Sequence, residues 1–283
     1  EEELKRNVKA VLKALLEANF RINANKCSFT PAKEILYLGW IIGNGQVRAA
    51  PGALDKLWRI RKPNEEVRLK DDKAKRQVVR RFLGILQYLS HYIPCGAEQL
   101  RPLYELTKTA NEGEGGGKDY KPPQATTKES KRSQAASSSR PFKWNAECDK
   151  AWDWAVARMQ EIQPLHTPTY DPLNSWLETI SDASKYGWGG ILVEFRVGDP
   201  KPYLIACVSG TFTPAQVNWP VCQKEMLGIW ATIKKLRHFL YLHPFVIGMD
   251  HRNLLWGSMS TNEVVVRLST DLQQHRFVMR HVE

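Results

Sequence analysis

Three carboxylates in the last third of the chain stand in contexts that suit phosphate chemistry. Asp182 ends the run Thr179-Ile180-Ser181-Asp182 and precedes the glycines Gly187, Gly189 and Gly190. Glu225 lies in Gln223-Lys224-Glu225-Met226-Leu227, inside a helical pattern. Asp250 closes the apolar run Phe245-Val246-Ile247-Gly248-Met249. A strand-end Asp, a helix Glu and a second strand-end Asp, in that order, can converge on one point. Converging carboxylates repel unless a cation sits among them, and hard oxygen ligands select a hard divalent metal. Each residue also has a plainer reading by itself: Asp182 as a cap or turn, Glu225 as a solvated helix residue, Asp250 as a strand-end turn residue beside His251.

The charge distribution points the same way. The net charge is +11, and residues 1–140 carry all of the excess, with 27 Lys/Arg against 16 Asp/Glu. Residues 141–283 carry 14 of each. The densest stretch, Arg48 to Arg81, holds 12 basic and 5 acidic residues. A basic half beside a neutral half with grouped acids suggests backbone binding in one place and chemistry in the other. Arg68, Lys73, Lys75, Arg76, Arg80 and Arg81 are the candidate phosphate contacts, with a solvated charge run as the plain alternative for each. Phosphate contacts position a duplex without reading its sequence.

Five scattered cysteines without a Cys-X-X-Cys pair indicate neither a zinc knuckle nor a disulfide framework. No apolar run approaches the roughly 20 residues of a membrane span, so no membrane partner is expected. No signal peptide is visible, and Glu1 is not an initiator Met, so the chain reads as a piece of something longer.

The elements that must position these residues follow from periodicity. Leu4, Val8, Val11, Leu12, Leu15 and Leu16 recur at helical spacing. Ile35 to Ile42 reads as a strand, Gly43-Asn44-Gly45 as a hairpin turn and Gln46-Val47-Arg48 as the return. Pro51 opens a helix, residues 64–76 read as a charged loop, and Val78 to Tyr92 as an amphipathic helix with Val79, Phe82, Leu83, Leu86 and Leu89 on its apolar face. A short helix follows over Ala97 to Thr107. Residues 110–140 are dominated by Gly, Ser, Lys, Gln and Pro and read as a disordered linker. Phe142 to Ile162 resumes with a helix. Strands are predicted at 176–181, 188–196, 203–209, 245–249 and 277–282, and helices at 221–241, 251–258 and 263–274. That pattern is an α/β domain with a mixed sheet.

These blocks resemble the polymerase polyprotein of a gypsy-type LTR retrotransposon. Asn19-Phe20-Arg21-Ile22-Asn23 through Lys26-Cys27-Ser28-Phe29 and Tyr37-Leu38-Gly39-Trp40 are similar to the end of a reverse-transcriptase palm. Arg81-Phe82-Leu83-Gly84 through Tyr88-Leu89-Ser90-His91-Tyr92-Ile93-Pro94, and then Leu100 to Lys108, resemble the thumb. Phe142-Lys143-Trp144 with Cys148 and Trp152 is similar to the connector, and Ser181-Asp182-Ala183-Ser184 onward to the ribonuclease H domain. The fold class expected is multi-domain α/β: a helical thumb with a β-hairpin from the palm end, then a ribonuclease H-like mixed five-stranded sheet with helices. The expected domains are 1–50 palm end, 51–109 thumb, 110–140 linker, 141–175 connector and 176–283 a ribonuclease H-like domain truncated at its C-terminus.

The resemblance implies cleavage of the RNA strand of an RNA–DNA hybrid with two Mg²⁺ ions, Mn²⁺ being an alternative. It assigns Asp182, Glu225 and Asp250 as catalytic and metal-binding, with Asp182 bridging both ions. It assigns Leu38, Gly39 and Trp40 to a primer grip, although a core role is the commoner fate of such a Trp. Partners implied are the hybrid and the rest of the polyprotein, in the cytoplasm or nucleus, including a retroelement particle. Two features depart from the family pattern. The Tyr-X-Asp-Asp polymerase motif is absent, so polymerisation by this chain alone is not expected. A fourth carboxylate normally lies downstream of the last strand, and Asp271 sits too early to replace it. These departures keep a second reading open, a catalytically inert domesticated or truncated descendant that binds nucleic acid or protein as a scaffold. An aspartic protease is excluded because Asp182-Ala183-Ser184 lacks the Asp-Thr/Ser-Gly signature.

Overall fold

The structure, a computed structural model, describes residues 2–66, 71–93, 96–108, 141–250 and 262–281. The expected linker at 110–140 and the expected helix at 251–258 lie outside the described residues. The chain divides into two compact units, Glu1–Lys33 and Glu34–Glu283. The first holds α1 (Glu2–Glu17), which carries the helical spacing read above, and a 3₁₀ turn at Ala24–Lys26 capped by the Asn23 side chain.

The second unit opens with three antiparallel strands, β1 (Glu34–Tyr37), β2 (Trp40–Gly43) and β3 (Gln46–Ala49). A single strand over 35–42 was expected. The apolar run is instead broken by a two-residue turn in which Leu38 and Gly39 adopt φ of 49° and 84°, the left-handed geometry that tight hairpins need. α2 (Pro51–Trp58) starts on its proline, whose missing N–H costs nothing in the first turn. α3 (Asp72–Tyr88) begins well before the expected Val78. The carboxylate of Asp71 accepts the Lys73 N–H and caps it, so the charged stretch from 72 to 76 is helix rather than loop. A 3₁₀ turn (Ser90–Tyr92), α4 (Gly96–Gln99) and α5 (Arg101–Thr107) follow, and α6 (Ala146–Gln160) is capped by Asn145.

These helices share one core. Leu57, Phe82, Leu86, Leu89 and Leu103 pack with Cys148, Trp152, Ala155 and Met159. The rings of Phe82 and Trp152 stack with centroids 3.6 Å apart. The α6 segment therefore shares its interior with α2, α3 and α5. β4 (Leu165–His166) then pairs with β3, Gln46 opposite His166. That pairing fastens the hairpin to the second unit and places the unit boundary at 33/34.

The second core belongs to a five-stranded mixed sheet. Its members are β5 (Ser175–Ala183), β6 (Gly187–Arg196), β7 (Tyr203–Thr211), β8 (Phe245–Met249) and β9 (Phe277–His281), in the order β7-β6-β5-β8-β9. β5, β6 and β7 are antiparallel; β5, β8 and β9 run parallel. α7 (Pro214–Val217) carries a Thr213/Gln216 capping box and precedes α8 (Val221–Leu240). α9 (Glu263–Leu272) is capped by Asn262. After β7 and α7, α8 carries the chain back across the sheet to β8, the crossover that lets β8 lie parallel to β5. Met226, Ile229, Ile233, Leu236 and Leu240 turn one stripe of α8 into the core, where Leu177, Leu192 and Ile247 meet them.

α8 lies so close to the sheet that a Cβ at Gly190 would fall on the Thr232 side chain. One reading of the glycines after Asp182 is thus realised at Gly190 as helix–sheet contact. Gly190→Ala is expected to destabilise the second unit by about 1–3 kcal/mol through overpacking, read as a lower urea midpoint. An unchanged midpoint would show that α8 can retreat without loss.

Candidate metal and nuclease site

Asp182 is the penultimate residue of β5, and Asp250 directly follows β8. The two strands are parallel, with Leu177 opposite Phe245 and Ile180 opposite Gly248. The same register carried two residues further sets Asp182 opposite Asp250, on one face of the sheet. Both are exposed. His281 of β9 bonds the backbone carbonyl of Asp250 through Nε2 at 2.8 Å, which fixes the end of the edge-ward strand. His251, the expected neighbour, lies outside the described residues.

Glu225 is the fifth residue of α8 and is only 5% exposed. Burial, then the charge of Asp182, then that of Asp250, push its carboxyl up to about 7, against a partial offset from the Ala183 backbone N–H that it accepts. The three acids expected to meet are therefore close enough to feel one another. Lys224, also buried, donates from its ammonium to the Lys185 backbone carbonyl at 3.5 Å. Asp271, which was not promoted, is engaged elsewhere, accepting the Trp230 indole N–H.

Among the described residues, no group of three or more His, Cys, Asp and Glu side chains stands ready as a metal cage. The donor set nevertheless fits a hard divalent ion. It is all oxygen, two of its members are open to water, and the third holds a proton affinity raised by burial and then by two neighbouring carboxylates, whose repulsion a cation would relieve.

The primer-grip candidates form a separate place. Leu38 is 75% exposed at the hairpin tip. The Tyr88 hydroxyl donates to the Leu38 carbonyl at 2.7 Å and occupies the space where a Gly39 Cβ would stand. Trp40 is stacked between Tyr88 (4.6 Å) and Tyr92 (5.3 Å), and Tyr92 donates to the Val47 carbonyl. Its ring is partly buried against the helical core. Of the cationic candidates, Lys73, Arg80 and Arg81 are exposed and Lys75 half-buried on α3. Arg80 donates to the Thr107 carbonyl. Arg76 is buried, which leaves its guanidinium no open surface for a phosphate; the sequence could not separate it from its neighbours because all lie in one charge run. Arg68 lies outside the described residues.

Sequence reasoning missed Ser184 and Glu98. Ser184 follows Asp182 by two residues and organises the β5–β6 turn: its hydroxyl oxygen accepts from the Gly187 and Tyr186 backbone N–H groups, and its proton is in reach of Glu98 on α4 at 2.5 Å and of the Gly187 carbonyl at 3.0 Å. Glu98 had no local signal, because its role depends on a contact 86 residues away.

The mixed five-stranded sheet in the order β7-β6-β5-β8-β9, with α8 packed on it, has the ribonuclease H-like fold. Residues 174–275 match the family model described as the RNase H-like domain found in reverse transcriptase. The Transposon Tf2-3 and Tf2-4 polyproteins of Schizosaccharomyces pombe are each 26% identical over 294 residues, covering 99% of this chain and 18% of the relative. This chain thus spans under a fifth of their length. Among solved structures, the foamy viral protease-reverse transcriptase in complex with dsDNA superposes with a TM-score of 0.62 at 18% identity, over all of this chain and 51% of that one. The same protein in complex with RNA/DNA hybrid gives 0.65 at 17%, over all of this chain and 33% of that one. The resemblance read from the sequence is matched: the chain is similar along its length to retrotransposon polyproteins of the Tf2 kind, and residues 174–275 match the RNase H-like domain found in reverse transcriptase.

A carboxylate raised on folding subtracts stability as pH climbs from its ordinary value of 4.5 to its folded value of about 7, and the full penalty is present above that. Glu225→Gln removes it. In EDTA at pH 8 the variant is expected to be more stable than wild type by about 1–3 kcal/mol, with the gain gone near pH 4.5. Equal differences at both pH values in urea unfolding would contradict the placement of Glu225 between two charges.

Proposed function

We propose that the domain binds RNA–DNA hybrid and hydrolyses its RNA strand. The observation that carries this reading is the buried Glu225, held under the repulsion of Asp182 and Asp250 at the ends of adjacent strands. A protein keeps such an arrangement at a cost in stability, and strongly perturbed groups of this kind concentrate at functional sites. Two divalent ions, Mg²⁺ or Mn²⁺, when bound would supply an activated water and neutralise charge at the scissile phosphate.

The chain's own contribution is rigidity. Asp182 and Asp250 extend from adjacent strands in one register, and Glu225 from a helix locked to the sheet at Gly190. The Ala183 N–H fixes the Glu225 carboxylate from one side. The thumb would hold the duplex by its backbone through Lys73, Lys75, Arg80 and Arg81, without sequence preference. Leu38 at the exposed hairpin tip would touch a strand end, with Gly39 shaping the turn. The rest of a polyprotein of the Tf2 type is the natural covalent partner.

A second reading, an inert descendant acting as a nucleic-acid or protein scaffold, draws on one specific observation: the described carboxylates do not form a closed metal cage. The two readings separate on one experiment. Wild type incubated with Mg²⁺ or Mn²⁺ and an end-labelled hybrid is expected to shorten the RNA strand only, and Asp182→Asn to lower the rate at least a hundredfold while keeping hybrid affinity. Cleavage that survives the substitution would sink the assignment of Asp182. A wild type that binds hybrid and cleaves nothing with either ion would favour the scaffold.

A further inference from the structure

The thumb is joined to the turn that carries Asp182. α4 lies against the ends of β6 and β7. The Ser209 hydroxyl of β7 accepts the Ala97 backbone N–H at 3.1 Å, so the sheet caps the first turn of α4. One residue further, the Glu98 carboxylate accepts the Ser184 hydroxyl at 2.5 Å. Arg101, at the start of α5, places its guanidinium over the Tyr186 ring at 4.6 Å from the centroid. Three consecutive parts of the thumb thus grip Ala183 to Gly187 and its neighbour strand.

The turn has little slack. A Cβ at Gly187 would run into the Gly210 carbonyl and lies 3.5 Å from the Glu98 Cβ. Ser184 is its hub: its hydroxyl oxygen accepts two backbone N–H groups of the turn, and its single proton has the Glu98 carboxylate at 2.5 Å and the Gly187 carbonyl at 3.0 Å as acceptors, the shorter contact being the one to the carboxylate. On the other side, the turn holds α8: the Ala183 N–H donates to Glu225, and the Lys185 carbonyl accepts from Lys224. A continuous path runs from Glu98 through Ser184 and Ala183 to Glu225, with Asp182 on the same short segment. Such a hydrogen bond to a charged acceptor is among the stronger ones available.

We infer that Glu98 is a positioning residue for the nuclease site: through Ser184 it sets the β5–β6 turn, and so ties the placement of Asp182 and Glu225 to the docking of the thumb. A thumb that closes on duplex in the right place would thereby complete the site, and a thumb displaced from the sheet would slacken it. Reacting groups tolerate little misplacement, so loss of this link should fall on turnover rather than on binding. The inference rests on the proposed hybrid cleavage for its kinetic consequence and on geometry alone for its mechanical one.

The experiment pairs the two. In hybrid cleavage, Glu98→Ala is expected to lower kcat about tenfold or more with KM near wild type, and Glu98→Gln, whose amide oxygen still accepts the Ser184 proton, to restore most of it. Ser184→Ala should match Glu98→Ala, and the double variant should be no worse than either, the signature of a shared contact. In parallel, amide hydrogen exchange across 183–187 should quicken in Glu98→Ala and not in Glu98→Gln, with unfolding midpoints little changed. Unchanged kcat together with unchanged exchange would overturn the inference, as would a Glu98→Gln variant as impaired as Glu98→Ala. If wild type cleaves no hybrid, the functional reading falls by itself, and the exchange measurement alone decides whether Glu98 holds the turn.

Discussion

A carboxylate buried beside two others is the constraint around which the C-terminal domain is arranged. Asp182 and Asp250 are forced into neighbourhood by the register of two parallel strands. Parallel pairing in turn demands a crossover, and the crossover is α8, which delivers Glu225 into the same neighbourhood. The rest of the domain keeps α8 from backing away. Gly190 lets the helix approach, the apolar stripe from Met226 to Leu240 seals it to the sheet, and the Ala183 N–H tethers the carboxylate. The result is an acid whose proton affinity is raised by burial and by two aspartates, which is the electrostatic condition that divalent binding relieves.

The helices α2 to α6 and the five-stranded sheet lie in one compact unit, residues 34–283. The helical core takes in α6 from beyond residues 110–140, β3 pairs with β4, and α4 is capped by Ser209 of the five-stranded sheet. The basic half and the acidic site therefore share a mechanical frame. A duplex gripped by α3 and a strand end at the hairpin tip would report their position to the β5–β6 turn through Glu98, with no need of a flexible relay.

Much of the domain was legible in the sequence because its signals are local. The five strands of the sheet and the helices at 221–240 and 263–272 follow from apolar runs and helical spacing, with ends displaced by a few residues. Capping escaped the reading: Asp71 extends α3 into a segment whose charges suggested a loop. So did the turn at Leu38–Gly39, where an unbroken apolar run concealed two residues at positive φ. The candidate acids could be named because each sits at an element's end or in a helix of known phase. Their partners could not be. Ser184 looks like any serine after a strand, and Glu98 like any helix surface acid, until the fold brings residues 86 apart into contact. Arg76 shows the opposite failure, a charge in a basic run that the fold buries.

The central claim is that Asp182, Glu225 and Asp250 together hold divalent metal. Mn²⁺ soaked into crystals of the protein with bound hybrid, located by its anomalous scattering, tests it most directly. The account predicts anomalous density bounded by these three carboxylates, lost in Asp182→Asn crystals. Ordered carboxylates with no density among them, or Mn²⁺ bound only elsewhere on the chain, would contradict it.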